Sequence, residues 1–239
     1  MHQQDKILYN KPLAPLIAII GCDGSGKSTL SMDIVEALKS TYPIQRCYLG
    51  QGSGNIARHI RNFRFGGKFL EKIISKKAKT TRTKGEKIPG LITALVIYAF
   101  SAIRVRNFKK MMSLREHGII VITDRYPQID VPGYYDGPGL SAAHTSNWMI
   151  RLLAKWEYKK YEQMASIKPQ LIFRLNIDAK TAFARKPDHD FELLKIKAAT
   201  TPKLTFGGAK IIDIDAELPY EDVYKIVLEK IKENIANKK

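Results

Sequence analysis

The sequence predicts an α/β fold: a parallel β-sheet of about five strands with helices on both faces. Three observations carry this. Short β-branched runs alternate with longer helical stretches along the 239 residues. The strand runs are nearly continuous in apolar character, as expected of parallel strands buried on both faces. The first of them, Leu16-Ile17-Ala18-Ile19-Ile20, passes through a glycine-rich loop directly into a helical pattern. The length suits one domain with a substantial core, spanning 1–239, and no Ser/Gly/Pro linker separates two halves.

The loop after the first strand reads Gly21-Cys22-Asp23-Gly24-Ser25-Gly26-Lys27-Ser28. G-x-x-x-x-G-K-S between a strand and a helix is a phosphate-binding loop. Its glycines let backbone N–H groups turn inward around phosphate oxygens, and the helix N-terminus adds partial positive charge. Lys27 is placed to reach the β- and γ-phosphates of ATP, and the Ser28 hydroxyl to ligate Mg²⁺. Gly21, Asp23, Gly24, Ser25, Gly26, Lys27, Ser28 and Thr29 are the candidate cofactor-binding residues. A helical pattern follows through Leu38.

Arg46-Cys47-Tyr48-Leu49 reads as the second strand, turned by Gly50-Gln51-Gly52-Ser53-Gly54. A basic insertion of about 55–88 comes next. From Arg58 to Lys87 it carries eleven Lys or Arg against the acids Glu71 and Glu86. Pro89-Gly90 opens a long helix to Glu116. Its apolar run Leu91–Ile103 is shorter than the roughly 20 residues that cross a bilayer and is read as a buried central helix. Ile119-Ile120-Val121-Ile122 is the next strand, with Thr123-Asp124-Arg125-Tyr126 at its tip. A Gly/Pro-rich loop, 127–141, leads into a helix from Thr145 to Ala165. Leu171–Ile177 is a strand, and Asp178 caps a short helix ending near Lys186. Pro187-Asp188-His189-Asp190 breaks that helix. Lys210–Ile214 is the last strand. Pro219, with Glu221 and Asp222 after it, starts the terminal helix.

Asp124-Arg125 emerges where a buried strand ends, which in this topology is the ligand crevice. An Asp there holds Mg²⁺ through water, and an Arg bridges donor and acceptor phosphates. Lys27, Asp124 and Arg125 are therefore catalytic candidates, and Ser28 and Asp124 metal candidates.

On these residues the chain resembles the thymidylate kinase family of nucleoside monophosphate kinases. The phosphate loop has the family form G-x-D-x-x-G-K-S/T, Asp124-Arg125-Tyr126 matches its D-R-Y motif, and Phe100-Ser101-Ala102-Ile103-Arg104 matches its F-x-x-x-R helix. The resemblance implies a P-loop kinase fold with a short lid at about 185–200. It also implies that Asp23 binds the acceptor sugar, that Phe100 stacks on the acceptor base, and that Arg104, Arg125 and Tyr126 contact the acceptor. The phosphate loop lacks an arginine, so the resemblance assigns the lid cation to Arg185, and less directly to Lys186. It implies a homodimer as well. The chain departs from the family after D-R-Y, where Pro127-Gln128-Ile129-Asp130 and Tyr135-Asp136-Gly137 replace the residues that read thymidylate. Asp136 either supplies an acceptor contact or fixes a turn.

The formal charge of +17 attracts polyanions. The basic insertion is either a solvated segment or a patch for nucleic acid or an anionic membrane. Two cysteines and a polar N-terminus without the apolar core of a secretory signal fit a reduced, cytoplasmic protein. His189, near the lid, is read as a surface residue. The reading that follows is ATP- and Mg²⁺-dependent phosphoryl transfer to a nucleoside monophosphate. Its alternatives are a kinase acting on a nucleoside or another small hydroxyl acceptor, and a nucleotide-gated protein docking nucleic acid or an anionic membrane.

Overall fold

The computed structural model describes residues 12–50, 90–133, 135–142 and 145–236. The basic insertion lies outside these residues. Five strands form one parallel sheet: β1 (Leu16–Gly21), β2 (Ile44–Tyr48), β3 (Ile120–Asp124), β4 (Leu171–Asn176) and β5 (Ile211–Asp215). Their order across the sheet is β2-β3-β1-β4-β5. The helices are α1 (Lys27–Leu38), α2 (Leu91–Glu116), α3 (Trp148–Ser166), α4 (Ala179–Arg185), α5 (Phe191–Thr200) and α6 (Tyr220–Ala236). β1 is buried along its whole length between β3 and β4. Because the period along a strand is two, its side chains alternate between two cores. Ile17 and Ile19 pack with α1 and α6 through Leu30, Ile34 and Val227. Leu16, Ala18 and Ile20 pack on the other face with Phe108, Tyr161 and Met164 from α2 and α3.

The register matters for function. Ile19 pairs with Asp124, and Tyr48 pairs with Asp124 from the other side. The end of β1, which launches the glycine loop, is thus one strand away from the end of β3. Strand β3 continues through Asp124 rather than stopping at Ile122, and one oxygen of that buried carboxylate accepts from Ser28 and Arg46. Asp178 caps α4 as expected, accepting from the Lys180 and Thr181 amides.

The sequence reading contained no helix over 191–200. Asp190 starts one, its carboxylate accepting from the Leu193 amide at 3.1 Å. It is the same capping device as Asp178, hidden behind Pro187. The expected central helix is buried on one face only. Ala94, Ile97, Phe100, Ser101, Arg104, Phe108 and Met111 point inward, while Ile92 and Leu95 are 60% and 49% exposed. By length and composition alone α2 could cross a membrane, but its inner face is packed into the fold.

One buried carboxylate fastens α3 to its neighbours. Glu157 accepts from Ser101 Oγ of α2 at 2.5 Å and from the Leu140 amide at 2.6 Å. Glu157→Ala leaves both donors buried without that acceptor. We expect it to lower unfolding free energy by about 2 kcal/mol or more in a urea titration.

Candidate functional site

The loop 22–26 sits at the carboxyl end of the central strand and turns directly into α1. Gly24 and Gly26 have φ of 89° and 85°, in the left-handed region that L side chains avoid. A Cβ on Gly24 would also lie 2.6 Å from the Ala182 carbonyl oxygen, so α4 is pressed against the loop backbone. Lys27 Nζ donates to the Cys22 carbonyl at 3.1 Å and lies 3.7 Å from Asp23 Oδ1. Burial, with Arg125 adding repulsion, pulls the Lys27 ammonium below its ordinary pKa. Ser25 Oγ is buried without a protein partner.

Ser28 Oγ donates to Asp124 Oδ2 at 2.6 Å, and Arg46 Nη2 donates to the same oxygen at 2.7 Å. Arg46 Nε also donates to Ser31 Oγ at 2.7 Å. Asp124 Oδ1 is buried and has no hydrogen-bond partner. A hydroxyl and a carboxylate with a free oxygen form a hard donor pair that suits a Mg²⁺ ion or its bound water.

Asp23 is the meeting point of the site's cations. Its carboxylate receives Lys197 Nζ from α5, Arg125 Nη2 at 3.1 Å and, more distantly, Lys27. His189 Nδ1 stands 3.8 Å away, and its side chain stays 37% exposed at the rim of the site. Burial opposes ionisation of Asp23, but Lys197, Lys27 and Arg125 outweigh it and hold the carboxyl far below the usual range. Arg125 itself has a φ of 72°, an uncommon strain for an arginine. Its Nη1 lies 3.6 Å from Asp136 Oδ2.

Asp136, also at positive φ, takes Arg104 through both its carboxylate and its carbonyl. Arg104 is 1% exposed and lies 5.6 Å from the centre of the Tyr161 ring. Burial works against the Asp136 anion, yet Arg104 and Arg125 keep its pKa lowered. A chain of alternating charge therefore runs from Arg104 through Asp136, Arg125 and Asp23 to Lys27 and Lys197.

The structure brings Asp23, Ser25, Lys27, Ser28, Asp124, Arg125, Arg104 and Asp136 together. It does not bring Tyr126 to the cleft. That ring is 1% exposed between Phe108 and Phe206, and its hydroxyl donates to the Ile167 carbonyl. Phe100 is buried one helical turn before Arg104. Arg185 stands apart from the Asp23 cluster. It donates to the Ala216 carbonyl at 2.8 Å and lines an apolar cavity of about 320 Å³ with Ser25, Leu30, Leu175, Leu218 and Val223. Lys186 is exposed beyond the end of α4.

Sequence reasoning missed two residues. Lys197 was legible in principle, as a basic position on a helix capped by Asp190. Arg46 was not, because its contact depends on β2 pairing with β3 across 78 residues.

Strand order, glycine loop and helix start define an α/β protein of the phosphate-loop type. Within that class the chain belongs to the family of two Escherichia coli K12 proteins described as uncharacterized ATP-binding proteins, YghS and YghR. It is 43% identical to YghS over 232 residues, covering 97% of this chain and 98% of the relative. It is 40% identical to YghR over 209 residues, covering 87% of this chain and 83% of the relative. YghR of E. coli CFT073 aligns with the same identity and coverage. No protein-family model matches the chain.

Two consequences of the charge chain are measurable. Asp23 and Asp136 have folded pKa values under the unfolded carboxylate value of about 4. The unfolded chain therefore takes up protons first as pH falls. Their stabilisation is complete above about pH 5 and is lost on further acidification towards the folded values. Thermal melts should be level from neutral pH to about pH 5 and then drop. Asp136→Asn leaves the Arg104 guanidinium buried without its counter-charge. It should cost about 3 kcal/mol at neutral pH and flatten the acid limb.

Proposed function

We propose that this protein is an ATP- and Mg²⁺-dependent kinase that passes the γ-phosphoryl group to a nucleoside monophosphate. The observation that carries the reading is the convergence of Lys27, Arg125 and Lys197 on one carboxylate beside the Ser28–Asp124 pair. Phosphoryl transfer needs positioned positive charge at the donor phosphates and at the group in flight. The likeness to proteins described as ATP-binding supports ATP as the donor.

In this reading the loop amides and Lys27 cradle the triphosphate, and its base enters the apolar cavity beside Arg185. Ser28 and Asp124 would hold Mg²⁺, whose bound charge neutralises phosphate oxygens. Among the described residues no group of three or more His, Cys, Asp or Glu converges as a metal site. The remaining ligands would then come from phosphate and water. Arg125 spans the gap between donor loop and acceptor side, where it offsets transition-state charge. Lys197 supplies the lid cation from α5. An oxygen of the acceptor phosphate attacks the γ-phosphorus, the bond to the bridging oxygen breaks, and ADP leaves. An acceptor phosphate is already ionised, so no general base is required.

A second reading has one specific observation in its favour. Asp136 occupies Arg104, the residue that the thymidylate kinase resemblance gives to the acceptor. A hydroxyl acceptor, such as a nucleoside, needs no such arginine, and Asp23 could orient its proton. Incubation with ATP, Mg²⁺ and panels of nucleoside monophosphates and nucleosides, following ADP, separates the two. ADP release driven by a monophosphate supports the first reading, and release driven by a nucleoside the second. Acceptor-independent silence across both panels overturns the kinase assignment.

Lys27→Ala and Arg125→Ala should each lower kcat/KM by roughly a hundredfold or more while leaving the far-ultraviolet dichroism unchanged. Wild-type turnover in either variant removes the role given to that residue. Lys197→Met should lower kcat more than it raises KM for ATP, as expected of a charge that acts mainly on the transition state. A raised KM with kcat unchanged would make it a ground-state contact.

A further inference from the structure

Away from the cleft, the outward faces of α2 and α3 are apolar and basic at once. On α3, Trp148, Leu152 and Trp156 recur every four residues and are 66%, 37% and 50% exposed. Arg151, Lys155 and Lys159 are exposed beside them with the same spacing. Such spacing lays two parallel stripes along one side of a helix. On α2, Ile92, Leu95, Ala99 and Ala102 are exposed, followed on the same side by Arg106, Lys109 and Lys110. The inner faces of the two helices close on one another through Ala94, Ile97, Ile150 and Leu153. Among the described residues, the exposed stripes are left over after the fold has packed.

We propose that this α2–α3 face docks on the surface of an anionic phospholipid bilayer. Large apolar side chains clustered on a surface mark an interaction site. The accompanying charge selects the partner. α2 carries no acid before Glu116; on α3 Glu157 is buried on the inner side, and the one exposed acid, Glu162, stands at the far end of the basic stripe against Arg151, Lys155 and Lys159. The whole chain carries +17. A second copy would bring like charges together across the contact. Nucleic acid would satisfy the cations but gain nothing from Ile92, Leu95 and Leu152, which have no planar face to stack. A bilayer with anionic headgroups answers both stripes. Lysines and arginines meet the headgroups, aliphatic side chains enter the acyl boundary, and indole rings sit between. The protein lies on the membrane and does not span it. The inner faces of both helices are committed to buried polar contacts, Arg104 with Asp136 and Ser101 with Glu157.

The chain has two tryptophans, and both belong to this face, so intrinsic tryptophan emission reports it alone. The test mixes the full chain with phosphatidylcholine vesicles, or with vesicles of phosphatidylglycerol and phosphatidylcholine in equal parts. The expected result is a blue shift and co-sedimentation with the anionic vesicles only, reversed by high salt. Trp148→Ala with Trp156→Ala should weaken co-sedimentation by roughly tenfold or more, the burial of two large apolar side chains being lost. Arg151→Glu with Lys155→Glu should abolish the preference for anionic vesicles. These side chains are exposed, so the variants keep the fold and the nucleotide site. Three results would overturn the proposal. One is no shift with either vesicle. Another is a lipid-free dimer in which both tryptophans are already shielded from an aqueous quencher. The third is retention on nucleic acid that alters tryptophan emission while vesicles do not.

Discussion

Arg125 holds two carboxylates at once, and the geometry of the cleft follows from that double grip. One carboxylate, Asp23, belongs to the phosphate loop; the other, Asp136, belongs to the loop after β3. Asp136 in turn secures Arg104 on α2. Three segments distant in sequence are thereby fixed around one guanidinium at the end of the sheet. Burial alone would discourage every charge in this set. It persists because each is answered by an opposite one, which is the condition for keeping ions out of water. The strained backbone at Arg125 belongs to the same arrangement.

The same arrangement offsets a local excess of positive charge. A cleft shaped for phosphates gathers cations, and cations without anions repel. Asp23 lies among Lys27, Arg125 and Lys197 and neutralises part of that charge. Arg46 stands in a similar relation to Asp124, holding the oxygen that Ser28 also binds and leaving the second oxygen free.

Much of this was legible in the sequence because it is local. Hydrophobic runs, the spacing of glycines in the loop, and Asp178 as a cap each act within a few residues. What escaped depends on contacts between distant segments. The side chain of Tyr126 follows a strand that ends at the cleft, which made it an acceptor candidate. Its ring instead fills a core gap between α2 and the segment before β5, a matter of three-dimensional volume. Arg185 sits at the end of α4 and carries the charge expected there. The turn of α4 directs it to the Ala216 carbonyl, while Lys197 on the next helix reaches Asp23. Asp136 could be read as an acceptor contact or a turn former. The structure makes it the clasp of a buried arginine, a role that only the fold reveals.

The close approach of Gly24 to Ala182 sets the tolerance of α4 to insertion. A helix rotates by about 100° for each residue added. One extra residue between Asp178 and Ala182 would swing a side chain into the place where a bare backbone now meets the loop. The seven-residue α4 thus works as a ruler. Length changes among relatives should gather in the segments before Asp178 and after Arg185, and spare the helix between them.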